Sequence, residues 1–257
     1  METRAFDALM IGRVLPDLLA YLDVTLIVAA VSIAAGALFG GLLAWANLDG
    51  PRPVRWLAVG YVYVMRCTPS IVLVFIVFYG LPKLLQGAFG IDMNGMNRAV
   101  FAVIAFAMLF GAYISEVFRA AYKAVPRGQY EAAVCAGLSP VQAFLHVMLG
   151  QAAIVALPNF GNAAINLLKE GSLAYTIGLI DLIGKGNLII AQNFGAYGIE
   201  VYLACMLVYW VIVLLLEQVF AQVERRLDKG ASLRTETPAR AGARGRCPRG
   251  WRRSTSS

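Results

Sequence analysis

Long apolar runs alternate with short polar stretches along this chain. The run from Val24 to Leu48 contains 25 residues without a charged side chain. A helix of that length can cross a hydrocarbon core of about 30 Å. Similar runs predict five membrane-spanning helices, near residues 18–46, 70–79 with flanking residues, 99–115, 147–168 and 201–216. The pattern therefore predicts an all-α membrane protein.

Polar and helix-breaking residues separate these runs. Residues 49–53 predict a turn, and Trp and Tyr in residues 54–65, with Arg at both ends, predict a helix that enters at the interface. The glycines and asparagines of residues 81–98 and 184–198 predict loops. Inside the fourth run, Pro158 and Gly161 predict a kink that interrupts the span.

Small residues form a stripe in the first span, at Ser32, Gly36, Gly40 and Gly41. Such stripes let another membrane helix approach closely. A dimer seam and packing within the chain are equally compatible with this pattern.

The ends of the chain differ from its middle. Residues 1–17 form a short amphipathic lead, predicted to lie at the membrane interface, before a transmembrane domain at residues 18–227. Residues 228–257 carry eight basic and two acidic side chains and little apolar content, which predicts a disordered basic tail. A solvated end near anionic lipid is the favoured interpretation, and a specific RNA- or lipid-binding role is the less favoured one.

Composition supports a membrane location. Hydrophobic residues make up 60% of the chain and charged residues 14%, against about 45–50% and 25% in soluble proteins. The net charge is +7, of which the tail supplies +6, so the body has no basic surface that indicates nucleic-acid binding.

A polar segment at about residues 123–150 stands out between the third and fourth runs. Pro126 and Gly128 end one helix, and Gln129–Ala136 predict a short new one with Gly137 as its left-handed cap. Residues 139–142, Ser-Pro-Val-Gln, read as a capping box that starts a second short helix. Two short helices with a tight turn predict a compact docking surface on one face of the membrane.

Enzyme chemistry is not evident in the sequence. His146 is the only histidine, the four cysteines are scattered, and no phosphate-binding G-x-x-x-x-G-K-[ST] loop occurs. We expect no cofactor, no metal site and no catalytic residue in this chain, so any ATP must be bound by a partner subunit.

The polar segment resembles the cytoplasmic E-A-A loop of permease subunits from bacterial ATP-binding-cassette importers. Five positions match that loop, namely Glu131, Ala132, Ala133, Gly137 and Leu149, whereas Gly150 replaces the usual proline. Five further stretches are similar to the polar-amino-acid branch: Arg66-Cys67-Thr68-Pro69, Tyr79-Gly80-Leu81-Pro82, Val125-Pro126-Arg127-Gly128-Gln129, Ala156-Leu157-Pro158 and Leu167-Leu168-Lys169-Glu170.

The resemblance implies a type I importer permease fold and an assembly of several proteins. Expected partners are a cytoplasmic ATP-binding subunit, a second permease subunit, an extracytoplasmic amino-acid-binding protein and membrane lipid. The five matching positions would couple ATPase movements to the spans. Residues 168–174 and 177–181 look like those of relatives that handle cystine or similar amino acids.

Basic residues predict the orientation. With the docking surface inside, 15 Lys and Arg residues lie on the cytoplasmic side and five on the outer side. This distribution predicts a C-terminus in the cytoplasm, and the resemblance implies a multi-pass protein of the bacterial inner membrane.

Lys169 and Glu170 are the candidate substrate-pathway residues. Ionisable groups at membrane depth usually face a cavity or each other, and this pair could meet the ammonium and carboxylate of an amino acid. A helix break near an interface, with both side chains reaching water, is an equally good interpretation. Glu116 and Arg119 are expected to form a structural pair. The alternative function is a self-contained secondary amino-acid carrier, which would need inverted repeats that the sequence does not display.

Overall fold

The computed structural model describes residues 6–93 and 95–235, with the backbone alone for residues 228–235. Over these residues the chain is helical, without strands. The α-helices are α1 (Ala8–Leu19), α2 (Leu22–Asp49), α3 (Arg52–Cys67), α4 (Ser70–Phe75), α5 (Leu81–Phe89), α6 (Arg98–Ala124), α7 (Arg127–Cys135), α8 (Pro140–Ala143), α9 (Leu149–Gly171), α10 (Leu182–Gln192) and α11 (Gly198–Thr235). Two π-helical segments, Ile76–Gly80 and Phe144–Met148, and a 3₁₀ segment, Ser172–Ile177, join neighbouring helices.

Five helical stretches in this part of the chain are long and apolar enough to cross a membrane, as the sequence predicts. They are Leu22–Asp49, Ser70–Phe89, Arg98–Ala124, Pro140–Ile177 and Gly198–Leu227.

Both predicted loops contain helices, so those predictions were wrong. In the first, helix continues through α5 to Phe89. Pro82 fits there because it lies in the first turn of α5, directly after a π-helical segment whose wider turn relieves the proline ring's clash with an earlier carbonyl. In the second, α10 occupies residues 182–192 and begins at the capping side chain of Asp181.

The core is built on two parallel helices, α2 and α6. Gly36 lies against the Ala107 carbonyl and Gly40 against the Gly111 carbonyl. A Cβ added to either glycine would lie 2.9 Å and 2.8 Å, respectively, from that carbonyl oxygen. Ser32 is fully buried, whereas an added Cβ on Gly41 would meet nothing within 4 Å. The predicted small-residue stripe, apart from Gly41, is therefore a seam within this chain.

Helix α9 runs back along the core and is not interrupted. Pro158 lies inside the helix, which continues to Gly171. The Gly161 position packs on Phe220 of α11, where an added Cβ would lie 3.0 Å from the ring, and Phe160 makes an edge-to-face contact with Phe110 of α6, with 5.7 Å between centroids. The predicted break at Pro158 was wrong because neighbouring helices hold this segment helical.

The N-terminal helix α1 belongs to the helical body. Val14 and Leu18 are buried against Leu182, Val201 and Cys205 of α10 and α11. The backbone N–H of Asp7 donates to the Glu200 carboxylate at 3.1 Å. The lead is therefore not separate from the helical body at residue 17, because the apolar face of α1 packs on protein, whereas its position at the membrane interface stays a prediction.

The two ends of the bundle carry different structures. At one end, Tyr130 of α7 and Met148 of the π-helical segment after α8 pack with Ala121 near the end of α6. At the opposite end, the Arg98 guanidinium donates to the Gly178 carbonyl at 2.8 Å and so links the start of α6 to the turn before α10.

The tail begins later than predicted. Helix α11 continues to Thr235, so residues 228–235 are helical and not disordered. The rest of the predicted tail, residues 236–257, lies outside the described residues.

Candidate transport and docking site

Two neighbouring clefts open along α3 and α6; α9 also lines the larger one, and Asn47 of α2 also lines the smaller one. Their volumes are about 650 and 600 Å³, and Arg66 and Glu116 line both. The polar and charged lining of the larger cleft consists of Arg66, Tyr113, Glu116, Asn159, Asn166, Lys169 and Glu170. Because the clefts share two side chains, they form one continuous polar surface along helices that are otherwise apolar.

Salt bridging neutralises one pair of charges in this surface. Arg119 Nη2 donates to Glu116 Oε2 at 2.6 Å, as expected from their i, i+3 spacing on α6. Arg66 lies over the Tyr113 ring, 5.8 Å from its centroid. Within the described part of the chain, neither Arg66 nor Lys169 has a carboxylate within salt-bridge distance.

The two predicted pathway residues both line the larger cleft. Lys169 is exposed, and Glu170 is half-buried at the end of α9. The Glu170 carboxylate accepts a hydrogen bond from the Ser70 hydroxyl at 3.0 Å, which ties α9 to the start of α4. The surface thus offers carboxylate and ammonium groups together, the complement of an amino-acid zwitterion.

Arg66 was missed as a site residue by sequence reasoning. It lies at the end of a predicted helix, where a basic side chain is ordinary, and only the tertiary packing of α3 on α6 brings it into the cleft. Its place in the Arg66-Cys67-Thr68-Pro69 stretch was the one available signal.

The predicted docking surface has the local structure expected of it. Gly137 has φ of +93°, a conformation that favours glycine. The Ser139 hydroxyl accepts from the Gln142 N–H at 3.3 Å, and the Gln142 side chain accepts from the Ser139 N–H at 3.0 Å, which completes the capping box. These contacts fix the turn between α7 and α8.

The five predicted coupling residues do not share one surface. Glu131, Ala132, Gly137 and Leu149 are exposed, whereas Ala133 is 8% exposed and packs towards the helical body. Glu131 also lines a cleft of about 510 Å³ with Asp49, Tyr122, Lys123, Arg127 and other residues at this end of the bundle. Of the alanines in this region, Ala132 and Ala136 are exposed, whereas Ala133 is buried.

Sequence comparison identifies a family and several relatives. Residues 12–229 match the family of binding-protein-dependent transport system inner membrane components. The L-cystine transport system permease protein TcyL of Bacillus subtilis is 40% identical over 226 residues, which cover 88% of this chain and 93% of TcyL. The glutamate/aspartate import permease protein GltK of Escherichia coli O157:H7 is 31% identical over 86% of this chain and 98% of GltK.

Solved structures show the same arrangement of helices. A chain from the crystal structure of an amino acid ABC transporter with histidines superposes with a TM-score of 0.74 and 28% identity, covering 87% of this chain and all of that one. A chain of the MetNI methionine ABC transporter superposes with a TM-score of 0.63 at 19% identity, over 82% of this chain and 95% of that one. The latter likeness shows a shared fold.

Proposed function

Since this chain belongs to the family of binding-protein-dependent transport system inner membrane components, we propose that it forms the pathway of an amino-acid importer driven by ATP. The observation that carries the proposal is the continuous polar surface of the two clefts. Arginine, lysine and glutamate side chains gather along one surface of apolar membrane helices where that surface is wet or binds a polar molecule. The family match favours this function over the self-contained carrier.

The substrate we propose is a polar amino acid of the cystine type. Two Bacillus subtilis relatives at 40% and 35% identity carry names of L-cystine permeases. The cleft that Lys169 and Glu170 line has groups of both signs for the carboxylates and ammonium groups of such a molecule.

The assembly we propose contains an ATP-binding subunit on the side of α7, a second permease subunit and an extracytoplasmic amino-acid-binding protein. ATP would be bound by the first of these partners, and this chain would need no cofactor of its own. The 15-to-5 distribution of basic residues supports an inner-membrane orientation with a cytoplasmic C-terminus.

Cysteine labelling tests the pathway. Cysteine at position 169 or 170, in a chain whose own cysteines are replaced, is expected to react with a small water-soluble thiol reagent at a rate that ATP alters. Val155→Cys is a matched control on the same helix, since Val155 is exposed on the bundle but does not line the clefts, and it is expected to stay unreactive in lipid. Unreactive 169 and 170 variants, with full uptake by the alanine variants, would assign the pair a structural role.

Glu131 is the coupling residue we propose at the ATPase interface. Its carboxylate is exposed in the second turn of α7 and is available to hydrogen-bond donors of a partner. Gly137 supports the same surface, because a bulky residue there would strain the left-handed turn by about 1 kcal/mol or more.

Charge reversal tests the docking surface. Glu131→Lys and Gly137→Val are expected to lower amino-acid uptake and ATPase co-purification while leaving membrane insertion unchanged. Glu224→Lys supplies the control, because Glu224 is an exposed carboxylate far along α11. Co-purification and uptake at control levels in both α7 variants would contradict the coupling role.

A further inference from the structure

A buried carboxyl group lies where α10 meets α11. The Asp181 Oδ1 atom accepts a hydrogen bond from the Gly184 N–H at 2.8 Å and caps α10. The residue is only 2% exposed, yet its Oδ2 atom has no hydrogen-bond partner among the described residues. An ionised oxygen in this position would lack the contacts that normally compensate the loss of water.

A second buried polar side chain, Tyr209 of α11, lies close to Asp181. The Tyr202 hydroxyl donates to Asn187 Oδ1 at 2.7 Å, and an added Cβ on Gly186 would lie 3.1 Å from Cys205 Sγ. These two contacts show that α10 and α11 run antiparallel, and the same register places Tyr209 opposite Asp181. The two side chains interact electrostatically. The Tyr209 hydroxyl is buried, and Ser172 is a further polar neighbour of it.

Among the described residues, no basic side chain forms a salt bridge with this carboxyl group, and the neighbouring Arg98 guanidinium donates to the Gly178 carbonyl instead. Around the carboxyl group lie Cys205 and Tyr209 from α11, Tyr175 from the 3₁₀ segment and Thr25 from α2, whose hydroxyl accepts from the Leu182 N–H. The nearest basic side chain in sequence, Lys185, lies over the Tyr21 ring at 5.4 Å from its centroid. Burial raises the pKa of Asp181 to about 6, opposed only by backbone N–H groups.

We propose that Asp181 is a proton-binding site that joins α10 to α11 when it is protonated. A proton on Oδ2 removes the buried charge and turns that oxygen into a donor for the Tyr209 hydroxyl. Loss of the proton to solvent leaves a carboxylate that favours water, so α10 and the 3₁₀ segment are held less firmly. That segment follows α9, whose last turn contributes Lys169 and Glu170 to the larger cleft.

The sign of the pH effect follows from the direction of the pKa shift. The pKa of Asp181 is higher in the folded chain than the ordinary aspartate value of 3.8. Its stabilising contribution is therefore complete below about pH 4 and is lost as the pH rises through about 6.

Hydrogen–deuterium exchange of the α10 amides tests the proposal in the full chain with its partner subunits in lipid nanodiscs. The exchange rate of wild type is divided by that of Asp181→Asn at each pH, which cancels the intrinsic pH dependence. Asparagine keeps an acceptor for Gly184 and carries no titratable proton. We expect a ratio near one at about pH 3.5 that rises between about pH 4 and 6 and levels off at about a hundredfold above pH 7.

Three controls decide between outcomes. Asp17→Asn changes an exposed carboxylate of α1 and is expected to match wild type at every pH. Tyr209→Phe removes the acceptor and is expected to raise α10 exchange at low pH. Should Asp181→Asn fail to fold, wild-type α10 exchange normalised to α6 amides of the same sample is expected to show the same rise. A pH-independent ratio, or one that follows Na⁺ concentration at fixed pH, would overturn the proposal.

Discussion

Single glycines decide how closely the two central helices pack. At Gly36 and Gly40, an added Cβ would reach the backbone of α6 within 3.0 Å, a distance that side-chain rotation cannot relieve because the obstacle is a carbonyl. Gly41, one residue further, has open space around it. Gly40 and Gly41 are therefore adjacent in the sequence but differ in role, because only Gly40 is required for close packing.

Alanine substitution separates these roles. Gly40→Ala is expected to destabilise the chain by about 1–3 kcal/mol, because the seam cannot absorb a methyl group. Gly41→Ala is expected to be neutral or to stabilise α2 by up to about 1 kcal/mol, because alanine is the better helix former. Thermal unfolding of the purified chains in one detergent measures both, and equal shifts would show that the seam is not tightly packed.

The shorter helices α1 and α10 were harder to predict than the five membrane-spanning helices. The composition of α10, with Gly184, Gly186 and Asn187, indicates a loop, yet each of these residues has a tertiary contact that favours helix. The Gly184 N–H donates to the Asp181 carboxylate, and the Asn187 side-chain oxygen accepts from the Tyr202 hydroxyl. Gly186 has no side chain and so leaves room for Cys205 of α11. Helix α1 likewise looked interfacial, because its amphipathic pattern is the same whether lipid or protein covers the apolar face.

The role of α1 can be tested at one turn of the helix. Leu18 is fully buried and Leu19 is 50% exposed, so they form a matched pair. Leu18→Ala is expected to lower the free energy of unfolding by about 2–5 kcal/mol through lost packing, and Leu19→Ala by much less. Thermal midpoints in lipid nanodiscs give the comparison. Equal thermal midpoints for Leu18→Ala and Leu19→Ala would contradict the packing of α1 on the helical body and would favour an interfacial role for α1.

The whole molecule has a polar cleft at mid-length, the predicted docking surface at one end and the α1–α10–α11 packing at the other. The described part of the C-terminal region is a continuation of α11, and the remaining 236–257 segment is polar, basic and without apolar periodicity. Nothing in that composition indicates a contribution to the transport body.

Truncation tests the limits of the functional body. Removing residues 236–257 is expected to leave uptake and assembly within about twofold of wild type, because polar termini tolerate change. Removing residues 217–257 is expected to abolish assembly, because the cut deletes Phe220, which packs against Gly161. Loss of partner subunits from the shorter truncation would show that the basic tail takes part in assembly.

The candidate site was only partly predictable. Lys169 and Glu170 could be selected because two opposite charges inside an apolar run need a cavity or a partner. Arg66 could not, because a basic residue at a helix end satisfies the interfacial pattern equally well. Ala133 was assigned to a docking surface, since sequence does not reveal which face of α7 packs inward.

The sequence by itself determined the number of spans, the class of fold and the turn between α7 and α8. The length of an uncharged run, the capping side chains of a helix and the conformation of a glycine depend on residues that are close together in the sequence. They can therefore be predicted without knowledge of tertiary contacts. Only the tertiary structure decided that α1 is core, that α10 is a helix, that α9 continues through Pro158, and that Arg66 meets Lys169 and Glu170 at one cleft. Each of those outcomes depends on contacts between residues far apart in the chain, for which a linear pattern has no signature.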